Sequence, residues 1–251
     1  MTPKIALITG ASRGLGRAAA LHLARAGVEV IGTYNSSPEA AAEVAREIEV
    51  LGVRAAMLPF DAEHGDIAEF ADRVREALSQ TFGRDSLDYL VNNAGLGVHR
   101  SIAETGPEDL DLLYRVHVRT PFLLTRALSP VISEGGSVLF VSSGLARFTL
   151  PGYAAYASMK GAVEVLTRYA AQEFGPRGIR VNCIAPGAIA TDFGGGAVRD
   201  NAQINAGISG MTALGRVGEA EDIGAGVAGL LTGGLSWMTG QRVELSGGQR
   251  L

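Results

Sequence analysis

The sequence predicts an α/β fold: a doubly wound, seven-stranded parallel sheet with helices on both faces, formed by residues 1–251 as a single domain. Short, continuous apolar runs alternate with longer amphipathic segments along the whole chain, as in parallel sheets whose strands are buried on both faces. No linker-like segment or internal repeat interrupts this alternation. A hydrophobic content of 47% in 251 residues is enough for one large core.

Composition and charge exclude several classes of protein. The net charge is −4 and no block of basic residues exists, which argues against nucleic acid as a partner. Cys183 is the only cysteine, so neither an internal disulfide nor a cysteine-built metal site is possible. The chain enters its first strand without a signal peptide, and its longest apolar runs are far shorter than a membrane span. We therefore expect a cytoplasmic protein with no metal and no membrane partner.

A glycine loop follows the first predicted strand, residues 5–9, and precedes a predicted helix, residues 17–26. Its sequence is Gly10-Ala11-Ser12-Arg13-Gly14-Leu15-Gly16. Between a strand and a helix, such a loop lets a pyrophosphate approach the backbone N–H groups of the helix N-terminus. The spacing is Gly-x-x-x-Gly-x-Gly rather than Gly-x-Gly-x-x-Gly, so a plain turn with packing glycines stays an alternative.

The second predicted strand, residues 28–33, bears on the choice of dinucleotide. An acidic residue about 20 positions after the glycine loop holds the ribose 2′-hydroxyl of NAD. Here the strand ends in Tyr34-Asn35-Ser36-Ser37, without an acid, while Arg13 offers a guanidinium to a 2′-phosphate. The sequence therefore favours NADP(H) over NAD(H). The alternative is that Arg13 is a solvated loop charge.

Polar and small residues end the next two strands. Helices are predicted at residues 38–51 and 67–82, and strands at residues 54–60 and 87–91. Asp61 either accepts a hydrogen bond from an adenine amino group or caps the following helix. The segment Asn92-Asn93-Ala94-Gly95 leaves room for a ligand above the sheet, and an asparagine amide there also suits a tie between strands.

The second half of the chain continues the alternation. Helices are predicted at residues 107–133, 153–174 and 219–231. They alternate with strands predicted at residues 138–141, 178–184 and 242–245. Pro121 is expected to bend the first of these helices. Residues 192–210 are glycine-rich and weakly periodic. They form either a substrate lid that orders on binding or a long surface loop.

A serine, a tyrosine and a lysine form the candidate proton-transfer site. Ser142-Ser143 follows the strand at residues 138–141, and Tyr156 and Lys160 lie four residues apart on one face of the next helix. A lysine one turn away favours the phenolate and is expected to lower the tyrosine pKa from its usual value of about 10. An amphipathic helix with an ordinary tyrosine is the alternative, because Tyr-x-x-x-Lys alone is common by chance.

These motifs share one predicted edge of the sheet. Ligands of doubly wound sheets bind outside the carboxyl ends of the strands. The groups at five such strand ends are Thr9-Gly10, Asp61, Asn92, Ser143 and Pro186-Gly187. Their coincidence on one edge supports each motif that is weak alone.

Taken together and in this order, the motifs resemble the classical short-chain dehydrogenase/reductase (SDR) family over essentially the whole chain. The resemblance rests on Thr9 with the glycine loop, Asn92-Asn93-Ala94-Gly95, Ser143, Tyr156-Ala157-Ser158-Met159-Lys160, Asn182 and Pro186-Gly187-Ala188-Ile189-Ala190-Thr191. Leu214-Gly215-Arg216-Val217-Gly218 and Ser246-Gly247-Gly248 are similar to the 3-oxoacyl-carrier-protein reductase-like branch. The resemblance implies a Rossmann fold, a homotetramer, and an enzyme that interconverts a ketone and a secondary alcohol.

The resemblance also implies roles for the matching residues. Tyr156 would be the general acid/base, Lys160 would lower its pKa and bind the nicotinamide ribose, and Ser143, thirteen residues before Tyr156, would polarise the carbonyl. Besides Tyr156 and Lys160, the expected cofactor contacts are Gly10, Ser12, Arg13, Gly14, Leu15, Gly16, Tyr34, Asn35, Ser36, Asp61, Ala62, Asn92, Ala94, Gly95, Pro186, Gly187, Ile189 and Thr191. The expected substrate contacts are Ser143, Leu145, Tyr153 and Phe193.

One position departs from the family pattern. The helix after residues 92–95 usually carries an asparagine that holds a water molecule in a proton relay from the lysine, and here that position is His117. Three interpretations stay open. The imidazole holds the same water, displaces it, or belongs to an ordinary helix histidine outside the relay.

Three functions are compatible with these motifs. The first is an NADP(H)-dependent ketone reductase or alcohol dehydrogenase. The second is an NAD-linked sugar, polyol or steroid alcohol dehydrogenase of the same fold. The third is a nucleotide-sensing protein without catalysis, which only His117 favours against an intact Ser143, Tyr156 and Lys160.

Overall fold

Seven parallel strands form one sheet in the computed structural model, which describes residues 2–251. The strands are β1 Ile5–Ile8, β2 Glu29–Tyr34, β3 Ala55–Pro59, β4 Leu87–Asn92, β5 Ile132–Val141, β6 Arg180–Pro186 and β7 Arg242–Leu245. Their order is β3-β2-β1-β4-β5-β6-β7, and each neighbouring pair is parallel. The chain winds outward in one direction from β1 and in the other from β4, which confirms the predicted doubly wound fold.

Helices cover both faces of this sheet. They are α1 Gly14–Arg25, α2 Pro38–Val50, α3 Ile67–Phe82, α4 Pro107–Tyr114, α5 Thr120–Leu128, α6 Ala154–Phe174, α7 Ala197–Asp200, α8 Ala202–Gly210 and α9 Ala220–Thr232. One buried cluster joins the sheet to α3, α5 and α6, and a second joins it to α1, α2 and α9. In β1, Ile5 and Leu7 belong to the first cluster and Ala6 and Ile8 to the second. Because successive side chains of a strand point to opposite faces, burial of both faces requires a continuous apolar run.

The helix predicted at residues 107–133 is divided by a π turn, Arg115–Arg119, which carries His117. The amide of Thr120 bonds to the carbonyl of Arg115, five residues back instead of four. Pro121 directly follows this bond and has no N–H to continue an α-helical ladder, so the extra residue accommodates it. The interruption is therefore a π turn before Pro121 and not a simple bend at the proline.

Strand β5 begins at Ile132, six residues before the predicted start. Its pairing with β4 shifts register between Leu87 and Tyr89, opposite the glycines at 135 and 136. Glycines weaken the sequence pattern of a strand, and they often mark such irregularities. The prediction missed this half of the strand for that reason.

Residues 192–210 form a turn at Phe193–Gly196, in which three successive glycines have positive φ, followed by α7 and α8. Asn201 caps α8, with its side-chain oxygen accepting from the amides of Gln203 at 3.0 Å and Ile204 at 3.1 Å. The alternative of a long surface loop is therefore wrong. Across residues 2–251, no helix combines the length and the apolar composition that crossing a bilayer requires.

Candidate active site

A cleft of about 710 Å³ opens at the carboxyl ends of the strands, where the order of the sheet reverses between β1 and β4. The loops after β1 to β6 line it, together with parts of residues 193–208 and Gln249. Every site residue predicted from the sequence lines this cleft, with the exceptions of Gly16 and Asn92. The predicted coincidence of motifs on one sheet edge is therefore present in the structure.

The glycine loop places the N-terminus of α1 at the wall of the cleft. Helix α1 begins at Gly14, three residues earlier than predicted, so its first-turn amides point toward the loop without intrahelical partners. Gly16 lies behind the wall, where a Cβ atom would collide with the carbonyl oxygen of Gly10. Gly16 is therefore a packing glycine that lets α1 approach the end of β1, and not a cofactor contact.

The two asparagines after β4 have different surroundings. Asn92 is buried, and its amide donates to the hydroxyl of Thr125 at 3.2 Å, away from the cleft. Asn93 lines the cleft and donates to the carbonyls of Thr9 at 2.8 Å and Gly10 at 3.2 Å. Side chains alternate along an extended chain, so only one of two neighbours can face the ligand side. The expectation that Asn92 contacts the cofactor is therefore wrong, and Asn93 is the tie between strands.

The structure excludes one of the two roles that the sequence predicts for Asp61. Its carboxylate accepts from the amides of Glu63 at 2.8 Å and His64 at 3.2 Å, which closes a turn after β3. The cap of α3 is Asp66, which accepts from the amides of Ala68 and Glu69. Asp61 is thus not a helix cap, and it remains at the cleft wall beside Ala62.

These walls fit a dinucleotide. The amides of the glycine loop and the first turn of α1 suit a pyrophosphate. Arg13 lines the cleft, as does the segment 33–37, which contains no carboxylate. Residues of the β6 loop, Pro186, Gly187, Ile189 and Thr191, line the same cleft and would border the nicotinamide end.

The candidate proton-transfer groups lie on the cleft floor. Tyr156 and Lys160 are only 7% and 5% exposed, although both line the cleft. Lys160 Nζ donates to the carbonyl of Val141 at 2.7 Å and lies 5.5 Å from the centre of the Tyr156 ring. The Ser143 hydroxyl oxygen accepts from the amide of Leu145 at 3.2 Å, at the start of a short 3₁₀ turn. A strand end and one turn of α6 thus bring the three groups together.

Burial controls the protonation of this pair. Burial raises the pKa of Tyr156, and the neighbouring Ser143 side chain opposes that rise. Burial lowers the pKa of Lys160 to about 7. The expected lowering of the tyrosine pKa by the lysine is therefore wrong for the protein groups alone. Both charged forms lose hydration, and the ammonium is directed to the Val141 carbonyl.

His117 belongs to the same site. It is 2% exposed, and its ring meets the Tyr156 ring edge to face, with centroids 5.2 Å apart and planes at 90°. Nε2 lies 2.7 Å from the carbonyl of Leu96, while Nδ1 is buried without a hydrogen-bond partner among residues 2–251. Burial, together with the charge of Lys160, holds the pKa of His117 well below its usual value. A helix histidine fully satisfied by backbone does not describe this residue.

Sequence comparison assigns the family. Residues 10–250 match the family model described as enoyl-(acyl carrier protein) reductase. An uncharacterized oxidoreductase of Methylorubrum extorquens is 36% identical over 247 residues, which cover 98% of each chain. A short-chain type dehydrogenase/reductase of Picea abies is 38% identical over 218 residues, which cover 82% of this chain and 77% of the relative. The chain belongs to the short-chain dehydrogenase/reductase family. As a member of the SDR family, it is an NAD(P)-dependent oxidoreductase.

Further relatives of this SDR are reductases by name, and two of them act on ketones. A hydroxynaphthalene reductase-like protein of Metarhizium acridum is 36% identical over 256 residues, covering 98% of this chain and 94% of the relative. The promiscuous reductase LugOII, which catalyses keto-reduction at C1 during lugdunomycin biosynthesis, has 38% identity, covers 99% and 98% of the two chains and superposes with a TM-score of 0.93. The angucycline C-6 ketoreductase LanV with bound NADP has 35% identity, coverage of 98% and 95%, and a TM-score of 0.93.

Aromatic side chains around Tyr156 line part of the SDR cleft. The ring centres of Phe193 and Tyr153 lie 5.9 Å and 6.5 Å from that of Tyr156. Leu145 lines the same region, as predicted. Phe148 and Leu150 line the cleft as well, although the sequence did not predict them as site residues. They lie in an irregular segment after Ser143, so no periodicity identified them.

Gln249 is a second missed residue. It comes from the C-terminal segment, is 2% exposed, and its side-chain oxygen accepts from the amide of Ala188 at 3.0 Å. It thereby fixes the loop after β6, which lines the cleft. Only the tertiary fold brings residue 249 to this loop, and the lone glutamine after Ser246-Gly247-Gly248 gave no local signal.

Proposed function

We propose that this SDR interconverts a ketone and a secondary alcohol with NADP(H), with Tyr156 as the general acid/base. The observation that carries the proposal is the convergence of Ser143, Tyr156 and Lys160 in one cleft with the glycine loop. Two hydroxyl groups in one cleft suit an oxygen of the substrate, which favours a carbonyl over an isolated carbon–carbon double bond. The names of LugOII and LanV as ketone reductases also support it.

The protein's own residues handle the proton in this reaction. Bound NADPH supplies the hydride. Tyr156 keeps its proton at neutral pH because burial raises its pKa, so it donates that proton to the carbonyl oxygen during reduction. The Ser143 hydroxyl donates a second hydrogen bond to the same oxygen and polarises the carbonyl. The Lys160 ammonium offsets the negative charge that develops on the phenol as its proton leaves.

The charges that line the cleft support NADP(H) over NAD(H) as the cofactor. Arg13 supplies a guanidinium to the cleft, which Tyr34, Asn35 and Ser36 also line with side chains that carry no negative charge. A 2′-phosphate pairs with a guanidinium, whereas NAD needs a carboxylate for its 2′-hydroxyl. The NADP bound to LanV supports this preference.

His117 replaces the usual asparagine as a hydrogen-bond acceptor. Its Nε2 is occupied by the Leu96 carbonyl, so Nδ1 is the atom that accepts from a water molecule of the relay. Two variants separate this role from ring packing. His117→Asn keeps a polar acceptor and retains more turnover, whereas His117→Phe fills the ring volume without an acceptor and loses more. Equal turnover of the two variants would count against the relay.

Two substrate classes fit the cleft. The resemblance to the 3-oxoacyl-carrier-protein reductase-like branch implies a 3-oxoacyl thioester as one candidate, whereas the aromatic side chains of Phe148, Tyr153 and Phe193 favour a planar, fused-ring ketone that stacks on them. The names of the hydroxynaphthalene reductase-like protein and LanV point to the second class. We therefore place the fused-ring ketone first.

The test is turnover of NADPH with a panel of an acetoacetyl thioester, a fused-ring aromatic ketone, a simple ketone and an enoyl thioester. Tyr156→Phe lowers kcat/KM by about 100-fold or more, because general acid catalysis contributes about 10² to 10⁴-fold. Tyr169→Phe, an exposed tyrosine on the same helix, is the matched control.

The outcomes of this panel separate the alternatives. Persistent turnover by Tyr156→Phe would remove the assigned acid/base. Cofactor binding without turnover of any substrate would favour the nucleotide-sensing protein, and tighter binding of NADH than of NADPH would favour the NAD-linked dehydrogenase. Reduction of the enoyl thioester alone would place the chemistry on a carbon–carbon double bond.

A homotetramer is part of the same proposal. Apolar side chains on α4, α5 and α6 are 45% to 67% exposed in the single chain: Tyr114, Phe122, Val165 and Tyr169. Such a surface is suited to association with further copies of the chain. Sedimentation velocity is expected to show a tetramer for the wild type and smaller species for Tyr169→Asp. A monomeric wild type would contradict it.

A further inference from the structure

An alternating row of four charged side chains lies behind the loop that carries Ser143. Glu164 on α6 pairs with Nε of Arg242 on β7 at 2.6 Å, and Nη1 of Arg242 pairs with Glu244 at 2.9 Å. Glu244 in turn accepts two bonds from Arg147, at 2.7 Å and 2.8 Å. We call Glu164, Arg242, Glu244 and Arg147 the ion chain. It links α6, β7 and the turn after Ser143, and its formal charges balance.

The ion chain reaches the catalytic loop from two sides. The Ser142 hydroxyl donates to Oε1 of Glu164 at 2.7 Å, and Nη2 of Arg242 donates to the carbonyl oxygen of Ser143 at 3.3 Å. One ion pair therefore holds both residues at the end of β5. Glu164 also lies one turn after Lys160 on α6. The same carboxylate thus ties the serine loop to the helix that carries Tyr156 and Lys160.

The geometry of these contacts restricts movement of the loop. The Glu164 and Arg242 side chains are 17% and 21% exposed, so solvent screens their attraction less than at the surface. Arg242 uses three different nitrogens for three partners, and a planar guanidinium presents its donors in a fixed arrangement. The position of the Ser143 backbone, and with it the hydroxyl that faces Tyr156, follows from the position of Arg242.

We propose that Glu164 and Arg242 are positioning residues for Ser143, which fix the separation between its hydroxyl and that of Tyr156. The inference rests on the proposed function, in which both hydroxyls bind one carbonyl oxygen. A displacement of about 1 Å in such an arrangement lowers a rate by about 10²-fold. Neither residue touches the reacting oxygen itself.

The test compares Glu164→Gln, Arg242→Met and Arg242→Lys with a matched pair elsewhere. Arg177 is that control, because it pairs with Glu134 at 2.8 Å and donates to the carbonyls of Ser129 and Ile132 at the amino-terminal edge of the sheet. Arg177→Met therefore removes one ion pair and two carbonyl bonds far from the cleft. Ser142→Ala is the mild variant for the case in which a charge variant fails to fold.

If Glu164 and Arg242 position Ser143, their substitution lowers kcat and leaves substrate and cofactor binding nearly unchanged. Glu164→Gln and Arg242→Met lower kcat by about 10- to 100-fold, with changes under about threefold in the KM of the ketone and the Kd of NADPH. Arg242→Lys recovers part of kcat, since its ammonium still pairs with Glu164 but cannot reach three partners. The kcat of Ser142→Ala falls by a smaller factor, and Arg177→Met keeps the kcat of the wild type.

A second measurement does not depend on turnover. The Leu145 amide donates to the Ser143 hydroxyl, so its hydrogen exchange reports how firmly that hydroxyl is held. Exchange at Leu145 is faster in Glu164→Gln and Arg242→Met and unchanged in Arg177→Met. The inference is overturned if Glu164→Gln and Arg242→Met keep the kcat and the exchange rate of the wild type. It is also overturned if Arg177→Met loses as much kcat as they do. If the wild type reduces no ketone, the proposed function fails, while the exchange rates still decide whether the ion chain holds Ser143.

Discussion

Nε2 of His117 donates a hydrogen bond to the carbonyl oxygen of Leu96 over 2.7 Å. A carbonyl only accepts, so this contact assigns the ring proton to Nε2 and leaves Nδ1 as an acceptor. Nδ1 is buried and lacks a partner within the part of the chain that the structure describes. Such an atom is unfavourable in a folded protein unless a donor reaches it, and the cleft beside Tyr156 is where a donor would arrive.

The buried imidazole predicts a loss of stability in acid. The pKa of His117 is held well below its usual value in the folded chain, whereas in the unfolded chain it titrates near about 6.5. Below that pH the unfolded chain binds the extra proton, so the free energy of unfolding falls. His117→Asn lacks this titration. The difference in Tm, variant minus wild type, is therefore expected to rise as the pH is lowered from 7.5 to 5.

Thermal unfolding by circular dichroism measures this difference at each pH. His99→Asn is the control, because His99 is exposed. Its Tm difference from the wild type should change less over the same range. A difference that stays constant for His117→Asn would show that the buried ring does not titrate on unfolding.

A close contact between Gly95 and His117 gives a second prediction. A Cβ atom on Gly95 would lie 2.9 Å from Cε1 and 3.4 Å from Nδ1 of His117. Gly95→Ala is expected to lower the free energy of unfolding by about 1–3 kcal/mol, as for other overpacked sites. In the His117→Asn background the smaller side chain relieves this contact, so the same substitution costs less. Urea unfolding of the four proteins measures the coupling, and additive effects would contradict it.

The sequence could predict the strand ends but not which neighbouring residue faces the ligand. The apolar runs defined β1, β2 and β4, because parallel strands buried on both faces must be continuous in hydrophobicity. Whether Asn92 or Asn93 faces the cleft depends on where the strand ends, because a shift of one residue moves every side chain to the other face of the sheet. The sequence could not fix that register. The packing role of Gly16 could not be predicted for a similar reason, since its tight contact with Gly10 exists only in the packed structure.

Electrostatics of the site was the least predictable part. Four-residue spacing correctly placed Tyr156 and Lys160 together, but the direction of the Tyr156 pKa shift depends on burial, which no local pattern gives. The partner of Ser142 comes from α6 and that of Ser143 from β7, 22 and 99 residues away in sequence, so the ion chain had no sequence signature. The π turn at His117 likewise follows from a hydrogen-bond shift that the segment's helical periodicity does not reveal.

Lys160 predicts a pH dependence of the same sign as that of His117, in a higher pH range. Its pKa is lowered to about 7 by burial, whereas an unfolded lysine titrates near about 10.4. Between these values the unfolded chain binds more protons, so this group's contribution to the free energy of unfolding rises with pH. Lys160→Met removes the buried charge. Its Tm is therefore expected to exceed that of the wild type by a few degrees at pH 6.5, and this excess should shrink toward pH 9.5.

Lys4→Met serves as the comparison for this titration, because the Lys4 side chain is half exposed and pairs with Asp88 at the surface end of β1. Its Tm difference from the wild type is expected to lack the same decrease. An excess for Lys160→Met that stays unchanged between pH 6.5 and pH 9.5 would mean that the lysine is not desolvated in the folded protein.

Arg13 predicts a selective effect on one dinucleotide. If its guanidinium pairs with the 2′-phosphate, Arg13→Ala raises the Kd of NADPH by about 10- to 100-fold, because hydrogen bonds to charged groups contribute about 1.5–3 kcal/mol. The Kd of NADH changes by less than about threefold. Arg17→Ala is the matched control, since Arg17 lies one turn further along α1 and pairs with Glu47 at 2.7 Å. Titration of cofactor fluorescence measures the Kd of NADPH and of NADH for the wild type and for each variant. Equal weakening of both dinucleotides by Arg13→Ala would assign Arg13 to the pyrophosphate, which they share, and would leave the preference for NADPH without a cationic partner.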